Sequence, residues 1–266
     1  MEEALPDQGR LQGWPVRTIV LAQALIAREI KGQYRRSWLG PVWTLLSPII
    51  YTAVFVFFRS LFNIPTGETP PVLFFFSAIS VWIMVAGIVN GVYPAFSGNI
   101  SIMKKMAVPR SVFLIAATGT PLINFSVSMA ATIGLLAYYK VAISWTVLLA
   151  PAIVLLAVLL AIGLGMLIVA ISLYRTDVLH ALPAMLQIWM LLTPIFYPLD
   201  IVPQNAQWII AMNPLVGIVE GYRMIVVLGV LPPGGMMMQS LAITCVVWAI
   251  AFPFFRRNSR YVADVL

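Results

Sequence analysis

The chain has 266 residues, of which 61% are hydrophobic and only 9% are charged. About a quarter of the residues of a soluble domain are charged, so this composition excludes an ordinary soluble protein. Lys and Arg number 16 against 9 Asp and Glu, which gives a net charge of +7. The single cysteine, Cys245, excludes a disulfide within the chain and a zinc cluster built on cysteines.

The N-terminal region precedes the first long apolar run. Its acidic, polar start predicts no cleavable signal peptide. Residues 16–36 hold too many charges to cross a bilayer. On a helix, which turns 100° per residue, their basic side chains group on one side and their isoleucines on the other. The two groups are Arg17, Arg28, Lys31 and Arg35, and Ile19, Ile26 and Ile30. We expect an interfacial helix along the cytoplasmic headgroups; a solvated helix with a basic face is the alternative.

Long charge-free runs follow, and a bilayer span needs about 20 apolar residues. They predict six spans, at roughly 42–62, 72–96, 111–138, 145–172, 180–198 and 236–255. The charge-free stretch 201–219 is interrupted by two prolines and several amides, so no seventh span is predicted there. We expect one all-α membrane domain over 1–266, with a cytoplasmic segment at 1–41, a six-span core at 42–255 and a tail at 256–266. Small-residue spacings at Gly87-x-x-x-Gly91 and Gly163-x-Gly165 favour close helix packing.

The basic residues predict the orientation, because cytoplasmic loops are enriched in Lys and Arg. With both termini cytoplasmic, 13 of the 16 basic residues lie inside, leaving Arg59, Lys140 and Arg223 outside. The positive charge is then explained by orientation and anionic headgroups, and no nucleic-acid partner is expected.

The segment 98–113 joins the second and third spans on the basic side. Apolar residues alternate there with basic ones: Ile100, Ile102, Met103 and Met106 with Lys104, Lys105 and Arg110. This arrangement predicts a short helix that ends before Pro109. Such a helix could dock in a groove of a partner, although a plain basic loop is also compatible with the sequence.

The outer connection 199–235 contains a partly apolar piece, WIIAMNPLVGIVEGYRMIVVLG. Broken segments at membrane depth are tolerated where they pack inside the protein, so we expect a re-entrant helical hairpin between spans five and six. An amphipathic helix on the outer surface is the alternative. The candidate outer gate comprises Asn213, Pro214, Glu220 and Arg223, because Glu220 and Arg223 are spaced to pair on a helix. A structural role for that pair requires partial burial, since exposed pairs contribute only about 0–1 kcal/mol.

The sequence lacks several motifs that are typical of ion-coupled carriers, ATP-binding proteins and enzymes. No charged residue lies in the middle of a predicted span, which disfavours ion-gradient coupling. The sequence lacks G-x-x-x-x-G-K-[ST], so a driven transporter would need a separate ATPase. The sole histidine, His180, lies near Asp177 without a nucleophile motif, which favours a helix-end pair over an active site.

The segment 28–48, REIKGQYRRSWLGPVWTLLSP, resembles the membrane subunit of type-2 ABC exporters. The matching residues are Arg28, Glu29, Lys31, Tyr34, Ser37, Leu39, Gly40 and Trp43. The segments LTPIFYP (192–198) and NPLVGIVEGYR (213–223) are similar to the end of that family's fifth span and its outer re-entrant region. The likeness extends from about residue 16 to residue 256 and is greatest to the polysaccharide branch, which includes O-antigen exporters, with teichoic-acid and capsule exporters close to it.

The resemblance implies a homodimer in the bacterial inner membrane with two copies of an ABC ATPase, exporting a lipid-linked glycan. No cofactor is expected on this chain, since ATP and Mg would be bound by the ATPase. The N-terminal helix and the 98–110 segment would contact the ATPase, through Arg28, Glu29, Lys31, Ile102, Met103, Lys104, Lys105 and Arg110. Aromatic side chains suit the apolar faces of sugars, and the candidates for the channel wall are Tyr51, Phe55, Phe58, Trp82, Trp189, Phe196 and Tyr197. A drug or small-lipid exporter and an intramembrane lipid-modifying enzyme are the alternatives.

Overall fold

The computed structural model describes residues 14–35, 38, 40–67, 69–105 and 109–258. Regular structure within these ranges is helical throughout, as the sequence predicts. The α-helices are α1 Trp14–Tyr34, α2 Trp43–Phe62, α3 Pro71–Ser97, α4 Ile100–Lys105, α5 Ser111–Tyr138, α6 Ala150–Ser172, α7 Asp177–Leu192, α8 Gln207–Ala211, α9 Pro214–Arg223 and α10 Gly234–Asn258. The motif residues Ser37 and Leu39, together with Arg36, Met106 and the tail 259–266, lie outside the described residues.

Five helices in the described part of the chain are long and apolar enough to cross a bilayer. They are α2, α3, α5, α10 and the continuous pair formed by the 3-10 turn Trp145–Leu149 and α6. These helices coincide with predicted spans one to four and six. The protein is therefore a multi-pass helical membrane protein.

The predicted span 180–198 differs from the structure. Helix α7 begins earlier, at Asp177, and ends at Leu192 after 16 residues. Its length of about 24 Å is less than the roughly 30 Å of hydrocarbon that a span crosses. The cause is Thr193, which is extended (φ −98°, ψ 139°) because a residue before proline avoids the helical region. We name the turn that follows, Thr193–Tyr197, the α7 bend.

Helix α3 forms the centre of the fold. It packs against α2, α5, α6 and α9, and 78% of its most apolar stretch is buried. The corresponding value for α2 is 11%, so α2 lies at the periphery. A helix that is apolar on all sides and buried belongs in the core of a bundle, whereas α2 exposes most of its surface to lipid or to another chain.

Glycines allow the closest helix contacts, as the sequence spacing predicts. A Cβ atom at Gly165 would lie 2.4 Å from Cγ2 of Val92 on α3, and one at Gly163 would lie 2.9 Å from Val247 on α10. Small residues let membrane helices approach closely enough for their backbones to pack. Helix α6 is therefore held between α3 and α10.

The N-terminal helix α1 packs on α5 through a face that agrees only in part with the predicted apolar side. Ala22 and Leu25 are buried, and Ile26 fills the space beside Gly119, whose Cβ would lie 2.4 Å from Cγ1 of Ile26. Ile19, expected on the same apolar side, is 54% exposed. The glycine on α5 provides the gap, and the periodicity of α1 alone could not reveal it.

Replacement of Gly165 by Ala should lower the midpoint of thermal unfolding in detergent, because the added methyl group overlaps Val92. Gly134→Ala is the matched control, since nothing lies within 4 Å of its Cβ position and Ala is a better helix former by about 1 kcal/mol. Gly134→Ala should leave the midpoint unchanged or raise it. Equal midpoints for the two variants would contradict the close α3–α6 contact.

Candidate functional site

Arg223 ends α9 and is 1% exposed, so its charge needs partners inside the protein. Nη1 donates to the Glu220 carboxylate in an ion pair. Nη2 donates to the carbonyl oxygens of Pro194 at 2.9 Å and Ile195 at 3.3 Å. Nε donates to the carbonyl oxygen of Phe74 at 3.4 Å, and the guanidinium carbon lies 3.7 Å from the centroid of the Phe74 ring. The predicted Glu220–Arg223 pair is confirmed, and it is buried as a structural role requires. We call this set of contacts the Arg223 network.

Asn213 fixes the beginning of α9. Its Oδ1 accepts from the backbone N–H of Leu215 at 3.0 Å, which makes it the N-cap, and Pro214 occupies the first helical position. The same oxygen accepts from Nε1 of Trp189 at 2.9 Å. Nδ2 donates to Oγ1 of Thr193 at 2.9 Å. Asn213 therefore attaches the start of α9 to the end of α7.

The four candidate gate residues thus lie on α9 and its cap, and the structure brings them against the α7 bend. Sequence reasoning missed Thr193 and Phe74, which hold the other side of these contacts. The Thr193-Pro194 pair carried a usable signal, because it marks where α7 must end. The Phe74 carbonyl carried none, since it depends on tertiary packing.

Four of the seven candidate aromatic residues form one cluster. Ring centroids lie 6.2 Å apart for Tyr51 and Phe55, 5.5 Å for Phe55 and Phe196, and 5.2 Å for Phe196 and Tyr197. Phe75 on α3 completes the cluster at 5.9 Å from Phe55. We call it the α2 aromatic cluster; it connects α2, α3 and the α7 bend.

The other three aromatic candidates lie elsewhere. Phe58 stacks on Phe62 along α2, with centroids 5.9 Å apart. Trp82 is 5% exposed and packs edge-on against Trp189 at 5.8 Å. Trp82 therefore belongs to the core, and its contact with Trp189 supports the residue that binds Asn213.

A hydrogen bond joins the two segments that were predicted to contact an ATPase. Nη2 of Arg28 on α1 donates to Oδ1 of Asn99 at 2.6 Å. Nδ2 of Asn99 donates to the carbonyl of Ala95 in α3 at 2.8 Å, and its own carbonyl accepts from Ile102 and Met103 at 3.0 and 3.1 Å. Asn99 thus connects α1, the end of α3 and the start of α4. We call this contact the Arg28–Asn99 link; sequence reasoning identified Arg28 but missed Asn99.

The structure separates the remaining coupling candidates by exposure. Helix α4 begins at Ile100 and ends at Lys105, before Pro109 as predicted, and its Ile102 and Met103 are half-buried against the chain's own core. Lys31 and Lys104 are exposed, Arg110 is half-buried before α5, and the side chain of Lys105 lies outside the described residues. Partial burial raises the pKa of the Glu29 carboxyl, although neighbouring Arg28 acts in the opposite direction. The coupling candidates that are exposed to a partner are therefore Arg28, Glu29, Lys31 and Lys104, whereas Ile102 and Met103 already pack against this chain.

These features define a multi-pass helical membrane protein in which polar contacts hold both ends of α3. The ABC-2 type transporter family matches residues 20–227. The chain belongs to that family, as its sequence resemblance predicted. It is the membrane subunit of a transporter and not an enzyme.

Named relatives cover most of the chain. The O-antigen export system permease protein RfbA of Myxococcus xanthus is 28% identical over 247 residues, which are 91% of this chain and 94% of the relative. A protein of the same name from Klebsiella pneumoniae is 24% identical over 207 residues, 77% of this chain and 79% of the relative. A second from that organism is 23% identical over 199 residues, 74% of this chain and 76% of the relative.

Glu220→Gln should lower the midpoint of thermal unfolding strongly, because it leaves a buried guanidinium uncompensated, a loss of about 3–5 kcal/mol when a buried pair is broken. Arg223→Met should also destabilise the protein. The double variant should be less destabilised than the sum of the two, since no unpaired charge then remains buried. Arg59→Gln, which removes a half-buried arginine bonded to Thr66, is the control and should cost little. Additive effects of Glu220→Gln and Arg223→Met would contradict the pairing.

Proposed function

We propose that the chain is the membrane subunit of an ATP-driven exporter that moves a lipid-linked polysaccharide of the O-antigen type across the inner membrane. Two copies would form the permease and two copies of a separate ATPase would bind ATP and Mg. The observation that supports this most strongly is the match to an O-antigen export permease over 91% of the chain. A drug or small-lipid exporter would share the scaffold, but the relatives' names favour a glycan.

The exposed apolar helices support a second copy as the partner. Helix α2 is barely buried and contacts the α7 bend through Phe55 and Phe196, and on α7 itself Met185, Ile188 and Leu191 are each more than half exposed. The α2 aromatic cluster lies between these helices, and Tyr51 at its edge is exposed. A channel wall that opens toward α2 and α7 would be completed by the second copy. Aromatic faces there would contact the sugar rings.

We propose six crossings with both termini cytoplasmic, with α7 as a short fifth span and α8–α9 as the re-entrant hairpin. Burial of nine of the ten residues of α9 supports a re-entrant element, because a helix lying on the surface would expose one face. A span that is too short for the bilayer leaves backbone groups at its end that need hydrogen-bond partners from the protein. The α7 bend finds such partners on α9, because Arg223 donates to the carbonyl oxygens of Pro194 and Ile195. The Arg223 network would then close the outer end of the channel.

Helix α3 supports a mechanical connection between the two ends. Near its first turn the Phe74 carbonyl accepts from Arg223, and just after its last turn Asn99 accepts from Arg28. A helix of 27 residues is about 40 Å long and moves as a rigid element when it is packed on all sides. Movement of an ATPase against α1 and α4 would therefore reach the Arg223 network through α3.

Reconstitution tests the proposal directly. The chain and its ATPase, purified together in proteoliposomes, should transport a polyprenyl-diphosphate-linked glycan with ATP and leave small amphipathic drugs untransported. Drug efflux without glycan transport would assign the chain to the alternative exporter class.

The proposed orientation predicts which residues react in intact cells. In a Cys245→Ser background, Pro65→Cys should be labelled by an impermeant maleimide, while Lys104→Cys and Arg257→Cys should be labelled only after the membrane is permeabilised. The thirteen-to-three division of basic residues is the physical reason. Labelling of the variants at 104 and 257 in intact cells, with none at 65, would reverse the topology.

Arg28→Gln and Asn99→Ala should each reduce glycan export about tenfold, the loss expected for one hydrogen bond to a charged group, while the ATPase still co-purifies. Both variants remove the same hydrogen bond, so the double variant should export about as well as either single variant. Gln23→Ala, an exposed position on the same helix that is not among the predicted ATPase contacts, is the control and should export normally. Normal export by both single variants would show that the Arg28–Asn99 link has no part in coupling.

A further inference from the structure

A groove lies between the start of α5, the second half of α6 at Met166 and the second half of α10, with a volume of about 410 Å³. Arg110, just before α5, and Arg256, in the last turn of α10, line one end. Leu114, Trp248, Phe252 and Phe255 line the rest. The groove therefore has a cationic end and an apolar body, which is the distribution of polarity in a phospholipid.

We propose that this groove binds an anionic phospholipid of the bilayer, with its phosphate between Arg110 and Arg256 and an acyl chain along Trp248 and Phe252. Basic pockets between transmembrane helices are a recognised form of lipid headgroup site. A guanidinium carries five N–H donors, so each arginine can bind a phosphate oxygen and keep an intramolecular partner as well. The groove's described lining contains two guanidiniums and no carboxylate, so it favours a negatively charged headgroup.

The apolar body of the groove is held in place by contacts deeper in the protein. Nε1 of Trp248 donates to the carbonyl oxygen of Leu159 at 2.7 Å, which fixes the indole plane. The ring of Phe255 packs edge-on against Phe96 with centroids 5.6 Å apart. From Arg256 to Trp248 the groove follows about two helical turns, roughly 12 Å. That length accommodates the upper part of an ordinary acyl chain.

The position of the groove favours a structural phospholipid over the transported lipid. Its walls are α5, α6 and α10, whereas the α2 aromatic cluster lies on α2, α3 and the α7 bend. None of the residues named for the channel wall or the Arg223 network lines it. Binding there requires only the placement of this chain in a bilayer, and it is independent of the proposed substrate.

Brominated lipids test the proposal in the full chain reconstituted in nanodiscs. Bromines on the acyl chain quench the fluorescence of nearby indoles. The quenching of Trp248 itself is the difference in quenching between the wild-type protein and Trp248→Phe. Brominated phosphatidylglycerol should quench Trp248 at a mole fraction ten- to thirty-fold lower than brominated phosphatidylcholine does, because each of the two guanidiniums should raise the affinity for an anionic lipid about fivefold. Arg110→Gln with Arg256→Gln should remove the preference. Arg257→Gln, the exposed neighbour outside the groove lining, should retain it.

Native mass spectrometry provides a second readout that does not depend on Trp248. The wild-type chain should retain a bound phosphatidylglycerol that the double arginine variant loses and that inorganic phosphate does not displace. Equal quenching by the two lipids, or a preference that persists in the double variant, would overturn the proposal. Displacement of phosphatidylglycerol by trace polyprenyl diphosphate would also overturn it, since the groove would then belong to the transported lipid.

Discussion

A buried arginine must find acceptors for its N–H groups, and Arg223 finds them on three separate segments. Its own helix supplies Glu220, the α7 bend supplies two carbonyl oxygens, and α3 supplies the Phe74 carbonyl and ring. None of these segments could shift alone without leaving a charge or a carbonyl unpaired at low dielectric. The requirement explains why α9 packs inside the protein, against α3 and the α7 bend.

Helix α3 is an apolar helix with a polar contact near each of its ends. The Arg223 network holds one end and the Arg28–Asn99 link holds the other. Between them α3 is packed on α5 and α6, with Val92 fitted against Gly165. Packed interiors have discrete arrangements and transmit displacement well. In the proposed exporter this is the physical basis for coupling an ATPase on the α1 and α4 side to the α9 side.

Much of this molecule could be predicted from charge spacing. The bounds of α2, α3, α5, α10 and of α6 with its preceding 3-10 turn agree with the predicted spans to within three residues, because hydrocarbon excludes charge and requires helices. The Glu220–Arg223 pair and the end of α4 before Pro109 followed from local rules. The end of α7 at Thr193-Pro194 also followed from a local rule, but the apolar content of the next residues obscured it.

Other features could not be obtained from the sequence, because they depend on which neighbour covers each helix. The buried face of α1 is set by Gly119 on α5, so Ile19 lies outside it although the periodicity placed it there. Asn99 bonds to Arg28 across 71 residues of sequence, a partner that no local pattern indicates. The most direct test of the account is hydrogen–deuterium exchange of Arg223→Gln compared with the wild-type chain. If Arg223 joins three segments, protection should fall together in α9, in the α7 bend and in the first turns of α3, while α1, which packs on α5, is unchanged; loss confined to α9 would contradict the account.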